Sequence, residues 1–330
     1  MESLIVEVKN LVKYFEVKRD FLSRFNPKTK QFVRAVDDIT FSINKNEIFG
    51  LIGESGSGKT TTGKLILNIL KPTSGKIIFE GNEIENLKPH QMKPYRRKMQ
   101  VIFQDPYASL NPRMKIGKAL TQPLEIHKIG DKISRKDQAL HMLESVGLTP
   151  PELVFSKYPH QLSGGQRQRV VIARALILKP DFIIADEPIA MADVSIRVLL
   201  LELMMKLKEE FDLTYLFITH DLATAKYICN RFAIMYLGKI VEIGTLKEVY
   251  KNPLHPYTKA LLSAVPVPDP KARKVKEIPE GEIPNPINPP PGCRFHPRCK
   301  YRMKICSIEE PQLKPVEKEH QVACFLYKDR

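Results

Sequence analysis

The sequence predicts an α/β protein built on a mostly parallel sheet. Three observations carry that prediction. Apolar strands and amphipathic helices alternate over roughly the first 250 residues, a glycine-rich turn separates one strand from the next helix, and another apolar strand ends in two adjacent acids. Ile39, Phe41 and Ile43 alternate with polar residues, and Ile48–Ile52 follows the turn-like Asn44-Lys45-Asn46, giving two strands. After the glycine-rich turn, Leu65, Ile66, Ile69 and Leu70 give Thr60–Leu70 the spacing of a helix that stops before Pro72. Strands are expected at Lys76–Glu80 and Gln100–Phe103. From about residue 105 to 162 strand signals are scarce and helical stretches such as Arg135–Val146 predominate, which reads as a helical insertion subdomain. A helix Gln166–Ile177, a strand Phe182–Ala185, a helix Val194–Lys208, a strand Tyr215–Thr219 and a hairpin around Leu237-Gly238-Lys239 complete the alternation. Nine of the 26 prolines lie between Pro266 and Pro291, marking a linker or wrapped irregular segment. The composition therefore changes near Val265, where the alternation of strands and helices gives way to a Pro-rich segment. No repeat of 20 to 50 residues suggests a solenoid.

Composition narrows the class further. With 330 residues, 43% of them apolar, the chain can bury a real core and is not a disordered tail. Lys and Arg number 52 against 37 Asp and Glu, a net charge of +15 that points to an anionic partner: a nucleotide, a nucleic acid or an acidic membrane face. The N-terminal MESLIVEVKN lacks the basic stretch and long apolar run of a secretory signal, so a cytosolic chain is expected. Apolar runs such as Val198–Met205 carry a charge or end short of the ~20 residues a spanning helix needs, so a membrane role would come through partner chains. Five cysteines are too few for a disulfide scaffold, but four fall in the last 38 residues.

Gly53-Glu54-Ser55-Gly56-Ser57-Gly58-Lys59-Thr60 has the form G-x-x-x-x-G-K-[ST] between a strand and a helix. Glycines let successive backbone N–H groups curl around phosphate oxygens, the helix N-terminus adds its positive end, Lys59 supplies a point charge and the Thr60 hydroxyl can ligate Mg²⁺. Gly53, Ser55, Gly56, Gly58, Lys59, Thr60 and Thr61 are the candidate phosphate-binding residues here. At the end of Phe182–Ala185, Asp186 would orient Mg²⁺ through its hydration shell and Glu187 would polarise an attacking water. Leu162-Ser163-Gly164-Gly165-Gln166, ahead of a helix, offers a second anion-binding N-terminus, since a cap alone explains Ser163 but not two glycines and Gln166 as well. Gln104 and His220 each follow a strand and would face the crevice at the strand ends.

Together these residues resemble the ATPase subunit of ABC transporters. The resemblance covers about residues 1 to 250 in family order: the Walker A loop, Gln104 as the Q-loop, Leu162 to Gln166 as the signature, Asp186 and Glu187 as Walker B plus catalytic carboxylate, Asp193 as the D-loop acid and His220 as the switch histidine. It implies a P-loop NTPase core, ATP and Mg²⁺ as cofactors, Mg²⁺ near Thr60, Gln104 and Asp186, and a head-to-tail dimer in which Ser163 to Gln166 of one subunit closes on ATP held by the other's Lys59. Phe15, with Tyr14 as runner-up, matches the aromatic that stacks on adenine; a core aromatic is an equal reading.

Asn252-Pro253-Leu254-His255-Pro256-Tyr257-Thr258, with Ala260-Leu261-Leu262, is similar to the C-terminal extension of oligopeptide and dipeptide permease ATPases, which implies an ATPase domain over 1–251 and an extension with the Cys cluster over 252–330. Gln104 to Arg113 and Arg96 to Gln100 resemble the F-type ATPase of those importers. That implies a paralogous ATPase partner in a heterodimer, two transmembrane permease subunits and an extracytoplasmic solute-binding protein, with the ATPase on the cytoplasmic face of the membrane. Oligosaccharide and nickel importers share the subfamily and stay open as cargo classes. Where members usually read Thr-Ser-Ala-Leu, this chain has Ile189-Ala190-Met191-Ala192, so hydroxyls that would bond across the dimer are missing.

Cys293, Cys299, Cys306 and Cys324 are separated by five, six and seventeen residues, which does not fit the short pairs of structural zinc sites. A segment with little core of its own needs a cross-link, and the resemblance, since some such ATPases carry one, implies a [4Fe-4S] cluster. Free thiols and disulfides stay open, and His296 or His320 could replace one Cys around zinc. Cys229 reads as a small core residue. A nucleic-acid-associated ATPase would suit the charge but usually carries two cassettes or a long coiled-coil insertion, so no nucleic acid is expected; a redox or metal sensor would leave the nucleotide motifs unexplained.

Overall fold

The computed structural model describes residues 3–17, 31–265, 279 and 281–327, in two compact units. The first comprises Met1–Ser3, Asn44–Ile48 and Leu87–Ile218. At its centre the strands Met99–Ile102, Phe182–Asp186 and Thr214–Thr219 pair in parallel, Met99 opposite Phe182 and Phe182 opposite Thr214. The latter two strands are buried on both faces, which is why their sequences are continuous apolar runs rather than alternating ones. The stretch expected to be helical contains Pro106–Ser109, Ile116–Ile126, Lys132–Ser145 and Pro151–Ser156. Lys132–Ser145 starts three residues before the expected Arg135 because the Asp131 side chain accepts from Ser134 N (2.8 Å) and caps it. Helices Gly164–Leu176 and Val194–Phe211 flank the two acids that end Phe182–Asp186.

The second unit comprises Leu4–Ile43, Phe49–Asn86 and Thr219–Arg330. Strands Leu4–Glu16, Phe32–Asn44, Ser74–Phe79 and Asn82–Glu83 form a four-stranded sheet. Leu4–Glu16, whose alternation is broken by Asn10 in the left-handed region, is an element the sequence pattern alone does not announce. Strand Ile48–Ile52 runs parallel to Arg231–Tyr236, which turns through Leu237 and Gly238, both at positive φ, into antiparallel Lys239–Thr245. Positive φ at both central residues matches the twist of a two-residue hairpin, so this turn confirms the expected one. The C-terminal extension then adds His320–Val322 to Lys239–Thr245, and Lys314–Glu317 outside that, covering an otherwise open sheet edge.

Helix Lys59–Ile66 ends earlier than its apolar spacing suggests. Asn68 takes the left-handed conformation (φ 53°) and its buried side chain donates to the Ile84 carbonyl (2.7 Å), so local hydrogen bonding outcompetes another turn. Most of the proline-rich stretch 266–291 lies outside the described residues. No helix among the described residues is long and apolar enough to cross a membrane.

Candidate active site

The loop from Gly53 to Thr60 is shaped by its glycines and by the hairpin beneath it. Gly58 has φ 108°, and a Cβ there would come within 2.1 Å of the Ala35 carbonyl oxygen, so no other residue fits. Lys59 is buried, and its Nζ donates to the carbonyls of Gly53 (2.7 Å) and Glu54 (2.9 Å), folding the ammonium over its own loop. Ser57, absent from the sequence-derived candidates, is buried, and its hydroxyl has no hydrogen-bond partner among the described residues. A buried orphan hydroxyl beside a buried lysine and a helix N-terminus suits a phosphate ligand. Thr60 and Thr61 lie in the first turn of the helix that follows.

In the first unit, Asp186 is buried at the end of its strand and Glu187 follows with φ 47°, while Glu187 N still donates to the Ile218 carbonyl (2.9 Å). A non-glycine residue in this region costs of order 1 kcal/mol, which tertiary bonding must offset. Gln104 Nε2 donates to Glu187 Oε2 (3.3 Å), so the structure brings these two candidates together. His220, in the second unit, is exposed directly after Thr214–Thr219, next to Asp221, which caps helix Leu222–Ile228 through Ala223 N (2.8 Å).

Ser163 and Gln166 form a reciprocal capping box: Ser163 Oγ accepts from Gln166 N (3.3 Å) and Gln166 Oε1 from Ser163 N (3.1 Å). The cap therefore explains Gln166 as well as Ser163, and the sequence argument that it could not is corrected. The two glycines differ: a Cβ at Gly165 would come within 3.3 Å of Ile196 Cγ2, whereas at Gly164 it would meet nothing within 4 Å among the described residues. In the departing segment, Ile189 is buried and Met191 exposed, with Ala190 N and Ala192 N donating to the carbonyls of Glu187 (3.2 Å) and Ile189 (3.1 Å). Asp193 stands exposed at the start of Val194–Phe211 without a capping bond from its side chain.

Of the two candidate aromatics, Tyr14 is committed through its hydroxyl, which donates to Asp37 Oδ1 (2.6 Å). Burial and that bond push the phenol up to about 12. Phe15 is half-buried with Lys13 Nζ 5.1 Å from its ring centre.

Cys293, Cys299, Cys306 and Cys324 line one pocket, together with Phe295, His296 and Tyr301. Backbone N–H groups of Phe295, Tyr301 and Leu326 donate to the sulfurs of Cys293, Cys299 and Cys324, each two residues back in the chain. Burial nevertheless raises these thiols, Cys293 to about 12 and Cys324 to about 11, so an unliganded pocket holds them protonated. Among the described residues no three His, Cys, Asp or Glu side chains are gathered so as to hold a single metal ion. The suggestion that His320 could substitute for a Cys is overturned: its Nε2 is bonded to Glu242 Oε1 (2.7 Å), with both side chains buried, and it does not line the pocket. Cys229 is buried, its thiol driven up by desolvation, as a core residue.

Comparison with known proteins agrees with this geometry. Residues 36–190 match the ABC transporter family and residues 241–306 match the oligopeptide/dipeptide transporter C-terminal region. A peptide import ATP-binding protein of Brucella ovis is 46% identical over 98% of both chains. The oligopeptide transport ATP-binding protein AppF of Bacillus subtilis is 44% identical over 99% of this chain and 98% of its own. Among solved structures, the dimeric ATP-binding cassette MJ0796, in a post-hydrolysis state bound to ADP and Pi, matches with a TM-score of 0.64 and 28% identity over 73% of this chain and 99% of that one. The chain thus belongs to the ABC transporter family as an ATP-hydrolysing subunit of the oligopeptide/dipeptide type.

Proposed function

We propose that the chain powers the uptake of oligopeptides or dipeptides from the cytoplasmic face of the membrane, paired with a paralogous ATPase beneath two transmembrane permeases and supplied by a solute-binding protein. The observation that carries this is the peptide-transporter C-terminal region over 241–306, which a generic cassette lacks. Co-purification from native membranes tests it: two polytopic permeases and a second ATPase are expected, whereas a homodimer alone, or copurifying RNA, would refute the assembly.

In this reading the phosphate loop, with Gly53, Ser55, Gly56, Gly58, Thr61 and also Ser57, cradles the triphosphate. Lys59 bonds the β- and γ-phosphate oxygens in place of the loop carbonyls it now holds. By the family resemblance Thr60, Gln104 and Asp186 would hold Mg²⁺, which would supply charge neutralisation. Glu187, held by Gln104, orients a water in line with the γ-phosphate, and His220 contacts that phosphate; the water–phosphorus bond forms as the β–γ bridging bond breaks, giving ADP and Pi. Ser163 to Gln166 and Asp193 serve the partner's nucleotide, and Phe15 stacks on adenine. The open space at Gly164 supports that approach, since a Cβ there would meet nothing within 4 Å among the described residues.

The four cysteines fit a [4Fe-4S] cluster better than zinc. They share one pocket, backbone N–H groups already point at three of the sulfurs, and their spacing does not fit the short pairs of structural zinc sites. Such a cluster would supply the cross-link that this segment needs. Iron and sulfide analysis with a visible spectrum after anaerobic purification decides it; a colourless protein sinks the assignment.

A further inference from the structure

Every polar group of Glu54, the residue after Gly53, is committed. Its N–H donates to Tyr257 Oη (2.9 Å), its carbonyl accepts from Lys59 Nζ (2.9 Å), and its carboxylate accepts from Arg298 Nη1 (3.0 Å). Tyr257 and Arg298 both belong to the C-terminal extension, 203 and 244 residues away in sequence. Neither is a loose surface contact. Tyr257 is fully buried in an aromatic cluster, 4.7 Å from Tyr236 and 5.4 Å from Phe295 between ring centres. The Arg298 side chain is only 9% exposed and lies against Tyr236, whose hydroxyl accepts from it at 3.4 Å.

A second arm reaches the other end of the loop. Arg294, buried, bonds the Leu237 carbonyl and the Asp37 carboxylate, and the neighbouring Gly238 N donates to the Ser57 carbonyl (2.8 Å). Each arginine is adjacent in sequence to a pocket cysteine, Arg294 to Cys293 and Arg298 to Cys299, while Phe295 forms a wall of the thiol pocket and packs on Tyr257.

A carboxylate in the phosphate loop repels an incoming polyphosphate unless a cation compensates it, and Arg298 is bonded to that carboxylate. We infer that Arg298 and Tyr257 are positioning residues of the nucleotide site: through Glu54 they neutralise and fix the phosphate loop, so that the loop's affinity for nucleotide depends on the C-terminal extension. The inference rests on the phosphate-loop reading above, and its test separates the two.

MgADP binding to the full-length protein is measured by calorimetry, with folding monitored by circular dichroism and thermal melts. Lys59→Ala tests the loop itself, and unchanged affinity there would overturn the reading and this inference with it. Arg298→Ala is expected to weaken MgADP by about tenfold, by leaving Glu54 uncompensated, and Arg298→Lys to recover part of that. Glu54→Gln in the Arg298→Ala background removes the stranded charge and should bring affinity back toward wild type. Tyr257→Phe, which keeps the ring packing, should weaken binding a few-fold by freeing the Glu54 N–H. Wild-type affinity in Arg298→Ala, or a loss that Glu54→Gln does not relieve, overturns the inference while Lys59→Ala still reports an intact phosphate loop.

Discussion

Ser57 concentrates the tension between stability and function in one atom. A buried hydroxyl without a partner costs roughly 1 to 3 kcal/mol, and among the described residues none bonds this one. Ser57→Ala should therefore leave the nucleotide-free protein as stable or raise its unfolding free energy by about 1 kcal/mol, while weakening MgADP by several-fold; melting curves and calorimetry on one preparation read both. Glu187 carries the complementary prediction. Glu187→Gln keeps a side chain that can still pair with Gln104, so ATP binding should persist and the closed dimer accumulate, while hydrolysis in the assembled transporter falls by at least 10²-fold. Turnover near wild type would remove Glu187 from the catalytic role. The two residues also differ in legibility. Glu187 is visible in sequence because a buried strand that ends in two acids is chemically odd, whereas Ser57 is one small polar residue in a loop full of them. Only the tertiary packing that strips it of partners singles it out.

At the scale of single elements, local chemistry decided what could be read. The strands Phe182–Asp186 and Thr214–Thr219 declare themselves as apolar runs because both faces are buried, and helix Gly164–Leu176 declares its start through Ser163 and Gln166. That same cap misled the argument about Gln166, since a reciprocal box uses both side chains for the helix itself. Strand Leu4–Glu16 was not legible, because it joins the four-stranded sheet through long-range pairing with Ser74–Phe79 and is interrupted at Asn10. The segment after Glu187 shows what an element can and cannot accept. Ile189 is a core residue, so a hydroxyl there would be buried, whereas Ala190 is only half-buried and its N–H already holds the turn on Glu187. Ala190→Ser thus adds a donor where the family resemblance implies one, without disturbing the core. It should raise the ATPase rate of the assembled transporter, and an unchanged rate would show that this turn does not limit coupling.

For the molecule as a whole, one buried acid joins two distant parts of the C-terminal extension to the same strand. Glu242 is completely buried and accepts from Leu254 N (2.9 Å), His255 N (2.8 Å) and His320 Nε2 (2.7 Å), tying the strand Lys239–Thr245 to both ends of the extension. None of this was readable from spacing, since a glutamate inside a strand that otherwise alternates poorly looks like a solvated residue. Next to it His255 caps helix Pro256–Ala264 by accepting from Tyr257 N (3.0 Å) at Nδ1, a bond that only the neutral ring can make there. Burial lowers its pKa from 6.5 to about 4, against the opposing pull of Glu242. A histidine whose folded pKa lies below its unfolded one binds protons more readily when unfolded. Stability is therefore full above pH ~6.5 and is lost as the pH falls toward 4, by up to about 3 kcal/mol from this group alone. His255→Asn can keep the cap, because Asn Oδ1 can accept the same N–H, but it removes the titration. The expected result is a flatter dependence of unfolding free energy on pH between 6.5 and 4 in the variant, with similar stability at pH 7.5. Because Tyr257 carries the Glu54 bond, the same acidification should weaken MgADP in the wild type more than in the variant; parallel slopes for both proteins would show that His255 stays out of the acid response.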